Sequence, residues 1–226
     1  MANIGPQKRS AEARSKLLHS AAKLFLKNGY QHTKIKDIEK DADVGNCKVF
    51  TMFGDKETLL AELVAFVLEG QFKATKEFLK GKEYDEILYY AAETTLQLYM
   101  VESSENIRDL YAAAYSMKKS SDIIQHTITG KLENIFKEHL PHLTTQDFYM
   151  LEIASGGIMR GFMTIPCDMW FTMEKKIKTF LETTFLVYRV PDEKINEAIE
   201  FVSQFDYPTI AKNTIDNMLA FLESRT

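Results

Sequence analysis

The sequence predicts an all-α protein, and three observations carry that expectation. Its 226 residues include only 10 glycines and 5 prolines, too few for the many tight turns of a large β-fold. Apolar residues recur at helical spacing along the chain, and no strand-like alternation persists. Pro141, Pro166, Pro191 and Pro208 fall in or beside breaks between apolar stripes, where a missing N–H is tolerated.

Residues 1–9 are polar, contain Gly5 and Pro6, and read as an arm, so ordered structure is expected from near Ser10. Leu17, Leu18, Ala21, Ala22, Leu24 and Phe25 make the stripe of a first helix that Asn28-Gly29 stops. Thr33 is suited to cap a short second helix with Ile35, Ile38 and Ala42 inward and Lys34, Lys36 and Lys40 toward water. Asp43-Val44-Gly45 interrupts it, and a very short third helix fits from about Asn46 to Met52. Gly54-Asp55 then precedes a long helix beginning at Lys56, with Leu59, Leu60, Leu63, Val64 and Val67 as its apolar face. Seven further helices are expected, at 84–102, 105–116, 119–139, 144–164, 169–189, 192–205 and 208–223, forming an irregular bundle.

The formal net charge of −4 argues mildly against a polyanionic partner until it is divided. Residues 1–56 carry 11 basic and 6 acidic side chains, whereas residues 57–226 carry 17 and 26. A modestly basic unit is joined to an acidic body, as expected if one end meets nucleic acid. Cys47 and Cys167 form no paired motif, and the chain has neither a leader-like apolar segment nor a run long enough to span a bilayer. A cytoplasmic, reducing setting without membrane association is the expectation. His126, His139 and His142 make no metal-ligand pattern, and no catalytic sequence stands out, so no metal, cofactor or enzymatic activity is expected.

Two short helices with a tight turn behind a longer helix form a helix-turn-helix candidate, whose second short helix would enter the major groove. Ala21-Ala22-Lys23-Leu24-Phe25, Gly29, Thr33, Asp37-Ile38, Ala42-Asp43-Val44, Phe50, Phe53 and Lys56-Glu57-Thr58-Leu59 closely resemble the N-terminal signature of TetR-family transcriptional regulators. The resemblance covers roughly residues 14–60. It implies a helix-turn-helix DNA-binding domain over residues 1–56 and an effector-binding and dimerisation domain over residues 57–226, in a homodimer on double-stranded operator DNA.

By position, the resemblance implies DNA-facing roles for Thr33, Lys34, Asn46, Cys47, Lys48, Phe50, Thr51 and Lys56. Lys48, Thr51 and Lys56 are candidate phosphate contacts; Asn46 could read an adenine edge, and Lys48 could read guanine instead. The sequence also departs from the family pattern. Asp43 stands where the turn usually has glycine, Gly45 removes the usual serine cap, Glu39 replaces an alanine, Cys47 a common glycine and Phe50 a tyrosine.

Of the 26 aromatic residues, 22 follow Lys56, and seven of the 10 methionines lie between Met100 and Met173, a composition suited to an adaptable apolar cavity. Tyr89, Tyr90, Tyr99, Tyr111, Tyr115, Met117, Phe162 and Met163 are wall candidates for a small hydrophobic or amphipathic effector, with Glu93 and His126 as polar selectors. The TetR resemblance further implies a four-helix dimer interface built by the helices at 144–164 and 169–189, with Ile153, Gly157, Phe180, Phe185 and Tyr188 as candidates. The expected function is a ligand-responsive regulator, a repressor released from a pseudo-palindromic operator. The alternatives are an interaction or small-molecule-binding protein of the same fold with weakened or lost operator recognition, and a passive scavenger of hydrophobic molecules.

Overall fold

A computed structural model describes residues 6–225. The described residues form eleven helices: α1 (Pro6–Asn28), α2 (Ile35–Asp41), α3 (Lys48–Phe53), α4 (Lys56–Phe78), α5 (Glu86–Glu102), α6 (Glu105–Ser116), α7 (Lys118–Phe136), α8 (Thr145–Thr164), α9 (Met173–Val187), α10 (Asp192–Ser203) and α11 (Tyr207–Glu223). None is long and apolar enough to cross a membrane.

Side-chain caps explain most of the starts. Asp55 accepts from the Thr58 N–H, Asp85 from Leu88, Ser104 from Ile107, Thr144 from Asp147 and Asp206 from Thr209, each satisfying a donor left open by the first helical turn. Most expected boundaries shift by one to four residues, and three of the shifts have a visible cause. Residues 6–9 belong to α1, while residues 1–5 of the expected arm lie outside the described residues. The third helix begins at Lys48 rather than Asn46, because Cys47 sits at φ 63° in the left-handed region. The helix expected from residue 169 begins at Met173, because Asp168 Oδ1 accepts from both Trp170 and Phe171 N–H groups at 2.7 Å and closes a turn first.

Two cores result. Leu17, Ala21, Phe25, Ile38, Val49 and Phe53 join Leu59, Leu60, Leu63, Val64 and Leu68 of α4 in the N-terminal core. That core therefore runs past residue 56 and takes in the first half of α4. In the body, α5 is buried on nearly all sides from Ile87 to Val101, as a central helix must be when neighbours surround it. Phe136 of α7 and Tyr188 stack face to face with ring centroids 4.0 Å apart, and Tyr90 meets Phe136 edge-on at 5.3 Å. Lys176, 1% exposed, is paired with Glu102 Oε2 at 2.9 Å, and Glu102 Oε1 accepts from Arg108 at 3.0 Å and from the Cys167 N–H at 2.9 Å. This network ties α5, α6, the α8–α9 turn and α9 together.

The units are joined on two sides. Asn106 of α6 donates to the Leu26 and Lys27 carbonyls at the end of α1. Lys119, at the start of α7, reaches Asp55 Oδ2 at 2.7 Å while its backbone N–H reaches Glu57 at 2.9 Å. Held by Lys119 and by Thr58, Asp55 has its pKa drawn down to about 2.

Phe136→Ala should destabilise the chain by ~3–5 kcal/mol, because it removes the partner of three aromatic contacts and leaves a cavity. Urea denaturation followed by circular dichroism measures it, and a loss under about 1 kcal/mol would contradict the packing described.

Candidate functional site

The helix-turn-helix is held by residues that depart from the family pattern. Glu39, buried near the end of α2, directs its carboxylate to α3, where Oε1 accepts the Val49 N–H at 2.9 Å. Val49 is in the first turn of α3, so Glu39 supplies across the turn the acceptor that Gly45 cannot. The Glu39 carbonyl also accepts the Val44 N–H at 3.1 Å. Asp43 takes φ 49° and Cys47 φ 63°, the two left-handed positions that bend the chain between the helices. Asp tolerates that region better than Cys, whose side chain has no local hydrogen bond to offset the strain.

Lys34, Asn46, Cys47, Lys48, Phe50 and Thr51 are exposed on this unit, and Phe50 is 71% exposed, an unusual place for a phenylalanine unless the surface meets something. Lys36 and Lys40 of α2 flank an open depression with Asn46 and Cys47. The Thr51 hydroxyl donates to the Cys47 carbonyl at 2.8 Å, leaving its oxygen free to accept.

Two expected DNA contacts turn inward. Thr33 is buried and does not cap α2; its hydroxyl hydrogen-bonds back to the Gly29 carbonyl at 2.8 Å and the Leu24 carbonyl at 3.1 Å, both presented by the end of α1. The N-cap position of α2 is Lys34, whose N–H is accepted by Asp37. Lys56 donates to the Tyr30 carbonyl, with its ammonium 4.1 Å from the Tyr30 ring centre, and partial burial lowers its pKa.

Five of the expected effector-site residues line two separate cavities in the body. Tyr111 and Tyr115 join Gln71 and Gln97 around a cavity of about 40 Å³ otherwise walled by apolar side chains such as Leu60, Leu63 and Val64. Tyr89, Tyr90 and Glu93 line a smaller one of about 20 Å³ with Phe72 and Lys131. The other five lie elsewhere. Tyr99 stacks on Tyr207, Met117 sits at the α6–α7 junction against the N-terminal core, and Phe162 packs between Phe171 and Phe180. Met163 is filled-in core, and His126 is exposed and stacked on Tyr149 at 5.6 Å.

Glu152 was not among the expected residues, yet it is buried in α8 on the same face as Phe148, Ser155, Met159 and Met163. A carboxylate within an apolar stripe of period near four was the available signal. Burial pushes Glu93 up to about 7 and Glu152 up to about 8, against 4.5 in water; Lys131 offsets part of the effect at Glu93, whereas the Glu93 charge adds to the cost of ionising Glu152. Burial also moves the Tyr90, Tyr111, Tyr115 and Tyr188 phenols upward.

For the expected dimer surface, Ile153 and Leu186 are 50% and 64% exposed, and Gly157 is exposed with open space where a Cβ would project. Met150 and Gly161 extend the same α8 stripe. Phe180, Phe185 and Tyr188 are corrected to interior positions: each has no exposed surface with which to meet a second copy.

Glu39→Ala should cost ~1–3 kcal/mol by stranding the buried Val49 N–H, with Glu39→Gln recovering most of it. Cys47→Gly should stabilise the chain by ~1 kcal/mol by relieving its left-handed backbone. Both are read from denaturant midpoints. The raised carboxyls have a worked sign. Glu93 and Glu152 hold protons in the folded state that the unfolded chain releases above about pH 4.5, so their contribution to stability is lost as pH rises through about 7 to 8. The Glu93→Gln/Glu152→Gln double variant should therefore gain stability relative to the parent between pH 5 and 8.5; an unchanged difference would contradict the burial.

Residues 17–63 match the family described as bacterial regulatory proteins, tetR family. No curated protein matches the chain at a significant level. Among solved structures, RolR in complex with resorcinol superposes with a TM-score of 0.65 at 16% identity, over 88% of this chain and 97% of that one. A putative TetR-family transcriptional regulator from Syntrophomonas wolfei str. Goettingen gives 0.51 at 18% identity, over 79% and 96%. At these identities the likenesses speak to the fold. Residues 17–63 thus carry the N-terminal DNA-binding domain of the tetR family of bacterial regulatory proteins, and the helices that follow share the fold of TetR-family regulators.

Proposed function

We propose that this regulator is an effector-responsive repressor that binds a pseudo-palindromic operator as a homodimer and is released by a small amphipathic molecule held in the body. One observation carries the reading. The cavity beside Gln71 and Tyr111 is walled by Leu60, Leu63 and Val64, residues of the same helix that starts at Lys56 immediately after the recognition helix. A molecule that widens this space pushes on α4 from inside, and α4 carries α3 with it. Release then follows from tighter binding of the effector to the state whose recognition helices miss the grooves, a coupling of ~1–3 kcal/mol or about 5–150-fold in operator affinity.

On DNA, a dimer sets its two α3 helices about 34–36 Å apart in successive major grooves. Asn46 reads a base edge, Lys48 and Thr51 meet phosphates or bases, Lys34 meets phosphate, and Phe50 packs against sugar or a thymine methyl. The dimer face is the α8 stripe of Met150, Ile153, Gly157 and Gly161 together with Leu186 of α9, where small residues permit close backbone approach. A second reading, the same fold without operator selectivity, is favoured by the inward turn of Thr33 and Lys56, which removes two expected phosphate contacts.

Selection of bound sequences from a random duplex pool decides between them. A repressor yields a palindromic consensus bound in a salt-sensitive way; equal, weak binding to every duplex supports the second reading. Asn46→Ala should relax selectivity at one base position by ~1–3 kcal/mol, and Lys48→Ala, if it contacts phosphate, should weaken all duplexes and reduce the salt slope by about one. Ile153→Asp with Leu186→Asp should convert a dimer into a monomer in sedimentation analysis; a dimer that persists would count against this face.

A further inference from the structure

Between α6, α7 and α8 the chain leaves a hollow of about 140 Å³, larger than the cavity of about 40 Å³ beside Gln71. A cavity of about 150 Å³ holds a benzene ring, so the hollow suits a body of that size. One stripe of α8 shapes it. Glu152, Gly156 and Arg160 follow one another at intervals of four residues, so they share a face, with about 12 Å of helix between the first and the last. Gly156 leaves the middle of that face bare, and a Cβ there would stand 3.1 Å from Glu152 Oε1. Tyr115 of α6 and Ile124 of α7 supply apolar wall, and half-exposed Ile153 borders the opening.

Polar groups around this hollow are donors that lack acceptors. Glu152 is 4% exposed; its Oε2 accepts from Ser155 Oγ at 3.2 Å, and that hydroxyl accepts in turn from Tyr188 at 2.7 Å. Burial keeps the carboxyl protonated at neutral pH. With Oε2 engaged as an acceptor, the proton falls to Oε1, which has no partner among the described residues. Gln125 Oε1 accepts from the Tyr149 hydroxyl at 3.2 Å, and the Gln125 Nε2 donors meet no acceptor among the described residues. Arg160 is exposed and makes neither an ion pair nor a hydrogen bond among them. A fixed positive charge beside two further donors calls for an anion with oxygen acceptors, and a planar carboxylate matches the guanidinium fork. A cation would meet the like charge of Arg160.

We propose that this hollow binds a compact organic carboxylate, ring-sized in its body and carrying a second oxygen at the end away from the carboxylate. The carboxylate lies on Arg160 and Gln125, the body rests on Gly156 against Tyr115 and Ile124, and the far oxygen accepts from Glu152 Oε1. The site goes beyond the effector reading above and does not depend on it, because its wall shares only Tyr115 and Ile124 with the cavity beside Gln71. Ile153 and Gly157 belong both to the hollow and to the proposed dimer face, so the site opens beside that face. The stripe of α8 explains the composition: an acid at one end and a base at the other recognise two groups of one ligand, and the glycine between them leaves room for its body.

The test is calorimetric titration of the full chain at pH 7 with three probes: 4-hydroxybenzoate, benzoate, which lacks the far oxygen, and 4-hydroxybenzyl alcohol, which lacks the charge. 4-Hydroxybenzoate should bind tightest, benzoate about fivefold weaker and the alcohol more than about tenfold weaker. Arg160→Ala, at an exposed position without bonds to lose, should weaken 4-hydroxybenzoate by about tenfold or more and remove its advantage over the alcohol. Glu152→Gln keeps a donor in place and should hold 4-hydroxybenzoate within about threefold, whereas Glu152→Leu should reduce it to the affinity of benzoate. Gly156→Ala should weaken all three probes by narrowing the hollow. Failure of 4-hydroxybenzoate to bind, an alcohol that binds as tightly, or an affinity unchanged in Arg160→Ala would each overturn the proposal. Equal affinities of the parent chain for benzoate and 4-hydroxybenzoate would overturn the contact with Glu152, and that comparison stands even if Glu152→Leu fails to fold.

Discussion

Helix α4 passes through both hydrophobic cores, and the relation between the two halves of the molecule depends on it. Leu59, Leu60, Leu63 and Val64 pack against α1 and α3, whereas Gln71 and Thr75 are buried in the body. A 23-residue helix spans about 34 Å, long enough to reach from the recognition helix to the cavity beside Gln71 as one stiff rod. Because interiors are close-packed, a displacement at Gln71 is not absorbed locally but must move the rod or repack its neighbours. Asn106 on α1 and Lys119 on Asp55 fix the two contacts about which such a movement would turn.

The body separates two kinds of buried charge. Lys176 and Glu102 are paired, and further bonds to Arg108, the Cys167 N–H and the Ile165 carbonyl complete their coordination, so the desolvation of each ion is compensated. Glu93 and Glu152 lack that compensation and hold their protons instead. Removal of either member of the first pair strands a charge, whereas a charge-neutral substitution in the second relieves the fold.

At the other end, the unusual turn residues prove to be a compensated set. The carboxylate of Glu39 replaces the cap lost at Gly45, and Asp43 occupies a left-handed position for which it is the next best residue after glycine or asparagine. Only Cys47 keeps its strain. The recognition helix is thereby held in place by contacts from α2, and its outward side chains are left free to face a partner.

Read alone, the sequence determined the elements and their kind. The 3.6-residue apolar period, the capping residues and the placement of the prolines depend on neighbours along the chain, so α6 was read end to end and most other boundaries within a few residues. The motif of residues 14–60 likewise named the family, because its spacing encodes the local geometry of a helix-turn-helix. What the sequence did not determine was the direction of individual side chains. Thr33 and Lys56 looked like phosphate contacts but find carbonyls of the first helix and its turn; Phe180, Phe185 and Tyr188 looked like an interface but fill the core; Glu152, which the sequence reading did not single out, is buried. Each outcome depends on which helices pack together across long sequence separations, and burial, charge compensation and cavity shape exist only once that packing is made.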